Sequence, residues 1–438
     1  MKKISNWPGP KAKAVIDKGR KFCATSTVES DFVPSPDKRA KGAYIYDADG
    51  NRFLDFCSGV GVANCGYGNK EIEKAISDHL KKTGRIQYIH HDFYNPESVE
   101  FCELLAEEVK KSLNAGCRYK VFLSNSGTEA NEAGLKLAFA LRPERRKIIV
   151  FQGAFHGRTL GSLPLMGNPN YRKDFPMAYE VTRLTFPKTG CIKSIDSFKN
   201  ELFNLELYGD EYNSLVIELL QGQGGIYFAD AEAVALMDDF CFRHQVIFHS
   251  DDIQAGYGRT GRFLVSEHYP FLKPDIIALA KGIANGVPVG ATVFKAELDW
   301  QETGRHASTY GGNALGSAAA IATLKYFKKY RLVEQAEMLG KILRPQLESL
   351  TKKYPGVVAN PRGQGLMQAV DFIKEGRPDK ELCRRVMEEA YRLGLILLNA
   401  GESGIRIMPP LVIREKELKQ GLKLFDQAIF EALKSIAG

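Results

Sequence analysis

The feature that most constrains the fold is a regular alternation, beginning near residue 70, between helical periodicity and short apolar runs typical of strands. Helices are predicted over 71–82 and 127–141, and strands over 119–124, 147–152 and 213–220. Chains that alternate in this way form a mostly parallel sheet covered by helices. The sequence therefore predicts the α/β class.

Polar residues follow the carboxyl ends of these predicted strands. Each of the following lies at or just after the end of an apolar run: Ser126, Glu218, Asp251 and Lys281. In open α/β sheets, ligands bind beyond the carboxyl ends of the strands. We therefore expect these four side chains to converge on one crevice.

The pattern changes near residue 315. One long helix is predicted over 315–350, then strands near 365–372 and 404–413 and a closing helix, which together make a smaller α+β unit. Near the N-terminus, 43–56 is predicted to form an antiparallel hairpin. The predicted domains are an N-terminal segment joining the small domain (1–65), a large domain (66–315) and a C-terminal small domain (316–438).

Composition argues against several classes of function. The formal net charge of +8 comes from 60 basic and 52 acidic residues without a dense basic run, so no nucleic-acid partner is expected. No run of about eighteen apolar residues occurs and the N-terminus lacks the apolar core of a signal peptide, so we expect a cytoplasmic protein without membrane contact. The eight cysteines form no CxxC pair and the eight histidines show no ligand spacing, so neither disulfides nor a metal is expected.

Lys281 indicates a particular chemistry. It closes the apolar run 274–281 and enters a glycine-rich turn, thirty residues after Asp251. Partial desolvation favours the neutral amine, which is the form that attacks an aldehyde. Pyridoxal phosphate (PLP) needs such a lysine and also a carboxylate that keeps its ring nitrogen protonated. Taken alone, however, a lysine in this position more often ends a strand and reaches water.

Two further segments are open to two interpretations. The turn formed by Ser126, Gly127 and Thr128 precedes a predicted helix, whose first N–H groups suit a phosphate, but an ordinary helix cap explains the same residues. Phe155 is suited to stack on a planar ring and Arg158 to bind a carboxylate in bidentate fashion. Isolated residues of these two types are more often a core aromatic and a surface arginine.

Seven segments, in order along the chain, resemble the motifs of class III aminotransferases, which are PLP enzymes of fold type I. They are SNSGTEAN at 124–131, AFHGRTLGS at 154–162, VIELLQGQGG at 216–225, SDDIQAGYGRTG at 250–261, LAKGIANGVPVGA at 279–291, STYGGNAL at 308–315 and IRIMPPLVI at 405–413. The resemblance implies the PLP-transferase fold of type I. In that fold a large domain with a mostly parallel seven-stranded sheet is joined to a smaller α+β domain.

The resemblance also implies which residues contact the cofactor. Pyridoxal 5'-phosphate would be held covalently as an internal aldimine with Lys281, and Asp251 would pair with the ring nitrogen. Gln254 matches a side chain near the ring hydroxyl. The other implied contacts are the phosphate cup of Ser126, Gly127 and Thr128, the stacking aromatic Phe155 with its neighbour His156, Glu218, and Thr309, which reaches the phosphate of the neighbouring subunit. The match at Thr309 implies a homodimer with active sites at the subunit interface.

On the substrate side, the resemblance implies that Arg158 binds a carboxylate of an amino-acid or 2-oxo-acid substrate. Glu218 and Arg406 match a glutamate–arginine pair that acts as a substrate-dependent switch. Val60 stands where ornithine-specific members tend to carry a tyrosine near the α-amino group of the substrate. This difference points away from strict ornithine use.

The predicted reaction is a PLP-dependent transamination by a ping-pong mechanism. It would move the ω-amino group of a diamino acid or of a 4-aminobutyrate-like donor to 2-oxoglutarate. The sequences DDIQAG at 251–256 and GRTLGSL at 157–163 resemble diaminobutyrate aminotransferases, whereas HDFYN at 91–95 and IRIMPPLVI at 405–413 resemble archaeal-type ornithine, 4-aminobutyrate and racemase relatives. Two alternatives stay open: an amino-acid racemase or epimerase of the same family, in which the lysine returns the proton to Cα from the opposite face, and a non-catalytic protein with the same fold.

Overall fold

The computed structural model describes residues 3–26, 31–84 and 93–437. Its helices are α1 (Pro10–Phe22), α2 (Ser58–Gly61), α3 (Lys70–Thr83), α4 (Pro96–Ser112), α5 (Gly127–Leu141), α6 (Pro169–Arg172), α7 (Ile192–Leu205), α8 (Ala231–Arg243), α9 (Ala314–Lys329), α10 (Leu332–Lys353), α11 (Lys380–Arg392) and α12 (Glu415–Ala437). Its strands are β1 (Tyr44–Tyr46), β2 (Arg52–Asp55), β3 (Tyr119–Ser124), β4 (Lys147–Phe151), β5 (Glu180–Leu184), β6 (Tyr212–Ile217), β7 (Leu220–Gln221), β8 (Tyr227–Phe228), β9 (Ile247–Asp251), β10 (Ile276–Leu279), β11 (Gly290–Lys295), β12 (Val358–Gln364), β13 (Met367–Lys374), β14 (Arg377–Pro378), β15 (Leu395–Ile396), β16 (Leu398–Ala400) and β17 (Gly404–Ile407). Within these described ranges, no helix is long and apolar enough to cross a membrane.

A seven-stranded sheet forms the centre of the chain, in the order β3-β11-β10-β9-β6-β4-β5. The strands from β10 to β5 pair in parallel, whereas β11 runs antiparallel to its neighbours β10 and β3. The mostly parallel seven-stranded sheet predicted for the α/β class is therefore confirmed. Since β3 points the same way as β10, the carboxyl ends of six strands lie along one edge.

The central strands are buried because helices cover the sheet. Every residue of β6, β9 and β10 is buried. Helix α5 packs against β3, β10 and β11, and α8 packs against β9. Gly134 lets α5 approach the sheet closely, since a Cβ at this position would lie 2.6 Å from the ring of His249.

A second, antiparallel sheet occupies the C-terminal part of the chain, in the order β12-β13-β17-β16, with β14 paired to β13. The hairpin predicted over 43–56 is present, because β1 and β2 pair antiparallel. Strand β15 runs parallel to β2, with Leu54 opposite Leu395, so the N-terminal segment is joined to the C-terminal part. The domain boundaries at 65 and 315 stay predictions.

Two elements predicted from the sequence differ from the structure. The single long helix over 315–350 is wrong, because α9 ends at Lys329 and α10 starts at Leu332. Arg331 between them has a φ of 50°, a left-handed conformation that interrupts the helical hydrogen bonds. The predicted strand over 213–220 is also interrupted, between Ile217 and Leu220, which leaves Glu218 outside the strand ladder.

Candidate active site

The candidate site lies along the carboxyl edge of the central sheet. Asp251 is the last residue of β9 and pairs with Ala278 of β10, three residues before Lys281. Glu218 follows the end of β6, and Ser126 follows the end of β3 by two residues. The adjacency of β9 to β10 and to β6 therefore places three of the four predicted side chains on neighbouring strand ends.

Asp251 is buried and hydrogen-bonded through both carboxylate oxygens. Its Oδ2 accepts from Asn131 Nδ2 at 2.7 Å, and its Oδ1 accepts from the N–H of Ile253 at 3.0 Å. His156 Nδ1 lies 2.7 Å from the same Oδ2 and is the donor, since a carboxylate only accepts. Burial alone raises the pKa of Asp251, but His156, Asn131 and Ile253 outweigh it and hold the pKa below its ordinary value. Asp251 is thus a buried carboxylate that stays ionised.

Lys281 follows β10 in an unusual backbone conformation, with a φ of 48°. Its Nζ has no hydrogen-bond or ion-pair partner among the described residues. Burial lowers the pKa of Lys281 to about 8, although the negative charges of Asp251 and Glu218 oppose the shift. A lysine of this kind is neutral more often near neutral pH than a lysine in free solution. It is available as a nucleophile and as a base.

The N-terminus of α5 supports both interpretations of the Ser-Gly-Thr turn. The hydroxyl of Ser126 accepts from the N–H of Glu129 at 3.3 Å, so it is the helix cap. The N–H groups of Gly127 and Thr128 have no acceptor among the described residues, so they remain free for an anion. The hydroxyl of Thr128 contacts Thr159 Oγ1 at 2.7 Å. The backbone of the turn, more than its hydroxyls, is therefore suited to bind phosphate.

Glycine keeps this turn close to the sheet. A Cβ on Gly290, the first residue of β11, would lie 2.3 Å from the carbonyl oxygen of Ser126. A Cβ on Gly127 would lie 2.9 Å from the side chain of Ile253. The turn is therefore wedged between β11 and the loop that follows β9.

Phe155 and Arg158 both contact a tyrosine that sequence reasoning missed. The half-buried ring of Phe155 meets the ring of Tyr171 edge-on, with centroids 6.3 Å apart. The exposed guanidinium of Arg158 lies 4.2 Å from the centroid of the same tyrosine ring. The phenol oxygen of Tyr171 accepts from Gln223 Nε2 at 2.9 Å. Tyr171 thus contacts both predicted site residues.

Glu218 and Arg406 lie in the same region but do not form an ion pair. Glu218 accepts from the N–H groups of Phe155 at 2.9 Å and Gly222 at 3.1 Å, and burial raises its pKa to about 7. Arg406 donates to Gln254 Oε1 at 3.0 Å. Among the described residues, no carboxylate lies within 4.0 Å of its guanidinium. The role of Glu218 and Arg406 as a switch pair stays a prediction.

The two remaining predicted residues lie at the rim of the site. Thr309 is exposed, and its neighbour Ser308 accepts a hydrogen bond from Asn125 at 3.0 Å, next to the turn at Ser126. Val60 is 38% exposed and has a φ of 66°, which is rare for a β-branched residue. Strain of this kind is common at functional sites.

Asn131 and Tyr171 are the functional candidates that sequence reasoning missed. Asn131 belongs to the SNSGTEAN motif, one helical turn beyond Thr128, but its contact with Asp251 depends on the packing of α5 against the end of β9. Spacing on the helix was the available signal. Tyr171 stands outside the seven motifs, and no pattern in the sequence points to it.

Comparisons with known proteins identify the family of the chain. The sequence matches the family described as aminotransferase class-III over residues 25–429. The acetylornithine aminotransferase of Synechocystis is 32% identical over 399 residues, covering 89% of this chain and 88% of the relative. That of Caldanaerobacter subterraneus is 33% identical, covering 90% and 94%. A solved Bacillus anthracis aminotransferase superposes with a TM-score of 0.86 at 25% identity, covering 96% of this chain and 98% of that chain.

Proposed function

The chain belongs to the class III aminotransferases, and on that premise we propose that it transfers the ω-amino group of a diamino acid, or of its N-acyl derivative, to 2-oxoglutarate. The observation that carries the proposal is the pair of neighbouring strand ends that bring together an ionised, buried Asp251 and the amine of Lys281, which has no partner among the residues that the structure describes. A 4-aminobutyrate-like donor fits the same chemistry. With each of these donors, the amino group is exchanged by a ping-pong mechanism.

The residues of the site fit pyridoxal phosphate, the cofactor of this family. Asp251 offers an ionised carboxylate for a ring nitrogen, and Lys281 offers an amine without a partner. The free N–H groups at the start of α5 suit a phosphate. Two further buried polar atoms, His156 Nε2 and Arg406 Nε, have no partner within the described part of the chain, which is typical of a site that is completed by a ligand.

When bound, the cofactor would supply an aldehyde for the amine and a protonated ring that accepts the electron pair of the C–H bond broken at the carbon that carries the transferred amino group. Asp251 holds the proton on the ring nitrogen, because its own hydrogen bonds keep it ionised. Lys281 would accept the proton of that carbon at Nζ and could return it to another carbon. Arg158, oriented by Tyr171, binds the substrate carboxylate.

The residue at position 60 favours an acylated donor. The valine side chain offers no hydrogen-bond acceptor to a charged α-ammonium group, and it lies in the segment Ser58–Gly61. Position 61 in that segment approaches Gln254. The relatives at 32–33% identity are named acetylornithine aminotransferases, and an N-acetyl group removes the α-ammonium charge.

A panel of donors tests the assignment. The holoenzyme is given 2-oxoglutarate with N-acetylornithine, ornithine, 2,4-diaminobutyrate or 4-aminobutyrate, and glutamate formation is measured. We expect kcat/KM to be highest for N-acetylornithine. Val60→Tyr should shift the preference towards ornithine, and an unchanged ratio in that variant would contradict the role of position 60.

The same enzyme tests the racemase alternative, which the aminotransferase names of the relatives do not favour. One enantiopure amino acid is incubated without any oxo acid. Transamination predicts one turnover of amino group into the cofactor and no D-isomer. Continuous formation of the D-isomer would overturn the proposal.

A homodimer with shared active sites is part of the proposal. Thr309 is exposed in the single chain, as required for a residue that serves a neighbouring subunit. Chains carrying Lys281→Ala and chains carrying Thr309→Ala are unfolded, mixed and then refolded together. If Thr309 acts across the interface, the mixed dimers contain one intact site and one doubly altered site, so activity returns to about a quarter of the native value for random pairing. No recovery in refolded dimers would place Thr309 in its own chain's site.

A further inference from the structure

A cavity of about 780 Å³ lies between the carboxyl edge of the central sheet and the C-terminal sheet. Gly153 and Thr185, beyond β4 and β5, form part of one wall. Gly401 and Ser403, between β16 and β17, form part of the other. None of the residues predicted from the sequence for the active site lines this cavity, but Tyr171, which contacts Phe155 and Arg158, does. Its volume is within the range of small-molecule sites, roughly 300–1,000 Å³.

The cavity carries an excess of positive charge. The charged side chains that line it are Lys188, Arg362, Lys380, Asp371 and Glu402. Arg362 and Asp371 neutralise each other in an ion pair of 2.7 Å. Among the described residues, neither lysine has a carboxylate within 4.0 Å. Two lysines therefore face one remaining glutamate, and an anion is the ligand that balances them.

Lys188 is the side chain best placed to bind that anion. It is half-buried, and its ammonium lies 4.2 Å from the centroid of the Tyr227 ring. Its backbone N–H donates to Ser194 Oγ at 3.0 Å, which fixes the loop that carries it. An anionic group stabilises a partly desolvated ammonium that has no counter-ion more strongly than it stabilises an ammonium in free solution.

The rest of the wall favours a polar molecule. The phenol oxygen of Tyr171 accepts from Gln223, so its own proton is free to be donated. Asn168 uses its Oδ1 to accept from the N–H of Asn170, which leaves its NH₂ group free. Donors of this kind match hydroxyl or carbonyl oxygens on a ligand.

We propose that this cavity is a second small-molecule site, adjacent to the amino-transfer site and sharing Tyr171 with it, which takes a polar organic anion. The ligand is a hydroxylated or amide-bearing carboxylate or phosphate ester, with its charged group on Lys188. The 221–224 loop borders the cavity and also carries Gly222, whose N–H donates to Glu218. The two sites therefore share one loop.

Binding to the holoenzyme is measured by isothermal titration calorimetry at constant ionic strength with three matched probes. D-gluconate supplies a carboxylate on a hydroxylated chain, D-glucitol 6-phosphate supplies a phosphate, and D-glucitol supplies neither. We expect saturable binding of at least one anion, at one site per chain, and none of D-glucitol. The anion that binds more tightly identifies the head group.

Four variants locate the bound anion. Lys188→Gln should weaken its binding at least tenfold, and Lys188→Arg, which keeps the charge, should retain it. Lys193→Gln removes a lysine of the adjacent helix that does not line the cavity, and should have no effect. Arg158→Gln reports on the amino-transfer site. The proposal is overturned if neither anion binds, if Lys188→Gln binds as tightly as the native chain, or if Arg158→Gln alone abolishes binding.

Discussion

Replacing Asn131 by alanine tests how the site keeps a buried carboxylate ionised. Asn131 is fully buried in α5, and its Nδ2 donates to Asp251 Oδ2 at 2.7 Å and to the carbonyl of His156 at 2.9 Å. The variant removes one of the three donors that hold the pKa of Asp251 below its ordinary value. The pKa of Asp251 should therefore rise, and the carboxylate of Asp251 should be ionised less often.

The magnitude follows from the charge on the acceptor. A hydrogen bond to a charged group contributes about 1.5–3 kcal/mol. If that energy is lost from the cofactor-bound state, in which Asp251 is ionised, the dissociation constant of the cofactor should increase by roughly 10- to 150-fold. Activity that needs ionised Asp251 is present above its pKa and is lost as the pH falls. The acid limb of the pH profile should therefore move to higher pH.

Asn213 provides a matched control. It is also fully buried, and its Nδ2 donates to two carbonyls, those of Ala138 at 3.0 Å and Arg142 at 3.2 Å. Asn213→Ala removes a comparable amide without touching a carboxylate. Both variants should lose stability in urea, but only Asn131→Ala should show weaker cofactor binding in an absorbance titration and a shifted acid limb. Equal effects of the two variants on the acid limb would refute the reasoning.

Three further predictions concern single side chains. Lys281→Ala should abolish turnover and the visible absorbance of the lysine-bound cofactor. In the native apo chain, the rate at which Lys281 reacts with an aldehyde should rise as the pH passes about 8. A rate that rises only near the pKa of free lysine would contradict the effect of burial. Burial raises the pKa of Glu218 to about 7, so the folded state binds a proton that the unfolded chain releases, and stability to urea should decline as the pH rises from about 4.5 to 7; Glu218→Gln should flatten that decline, and an equal slope in the variant would exclude Glu218 as its source. Gly290→Ala places a Cβ 2.3 Å from a carbonyl oxygen and should destabilise the chain by about 1–3 kcal/mol, whereas Gly116→Ala, with no atom within 4 Å, should be close to neutral in the same denaturation assay.

Much of the site could be predicted from where polar residues follow apolar runs. Parallel strands end at the same edge, so Asp251 at the end of β9 and Lys281 just beyond β10 had to lie near each other once the two strands were neighbours. The helix start after Ser126 follows from local capping chemistry. These inferences need only the strand pattern and the identity of the residues at strand ends.

Contacts between distant elements could not be read from the sequence. The bond from Asn131 to Asp251 depends on the distance and rotation of α5 relative to the sheet, which Gly134 and His249 set by direct packing. The stacking of Arg158 on Tyr171 joins a loop to the short helix α6, and neither segment has a periodic pattern in the sequence. The break between α9 and α10 depends on a single left-handed residue, Arg331, in an otherwise helical pattern.

The position of β11 in the sheet has a consequence for synthesis on the ribosome. Strand β3, which leads into the turn at Ser126, pairs with β11, with Leu123 opposite Ala291. At roughly 5–20 residues per second, translation takes about 10–30 s to proceed from the first of these residues to the second. Throughout that interval the backbone hydrogen-bonding groups of β3 lack their partner strand. Unpaired strand edges of this kind can pair with another chain until β11 has emerged. A stalled chain that ends before residue 290 should therefore bind chaperones through β3, and release should follow once β11 is available.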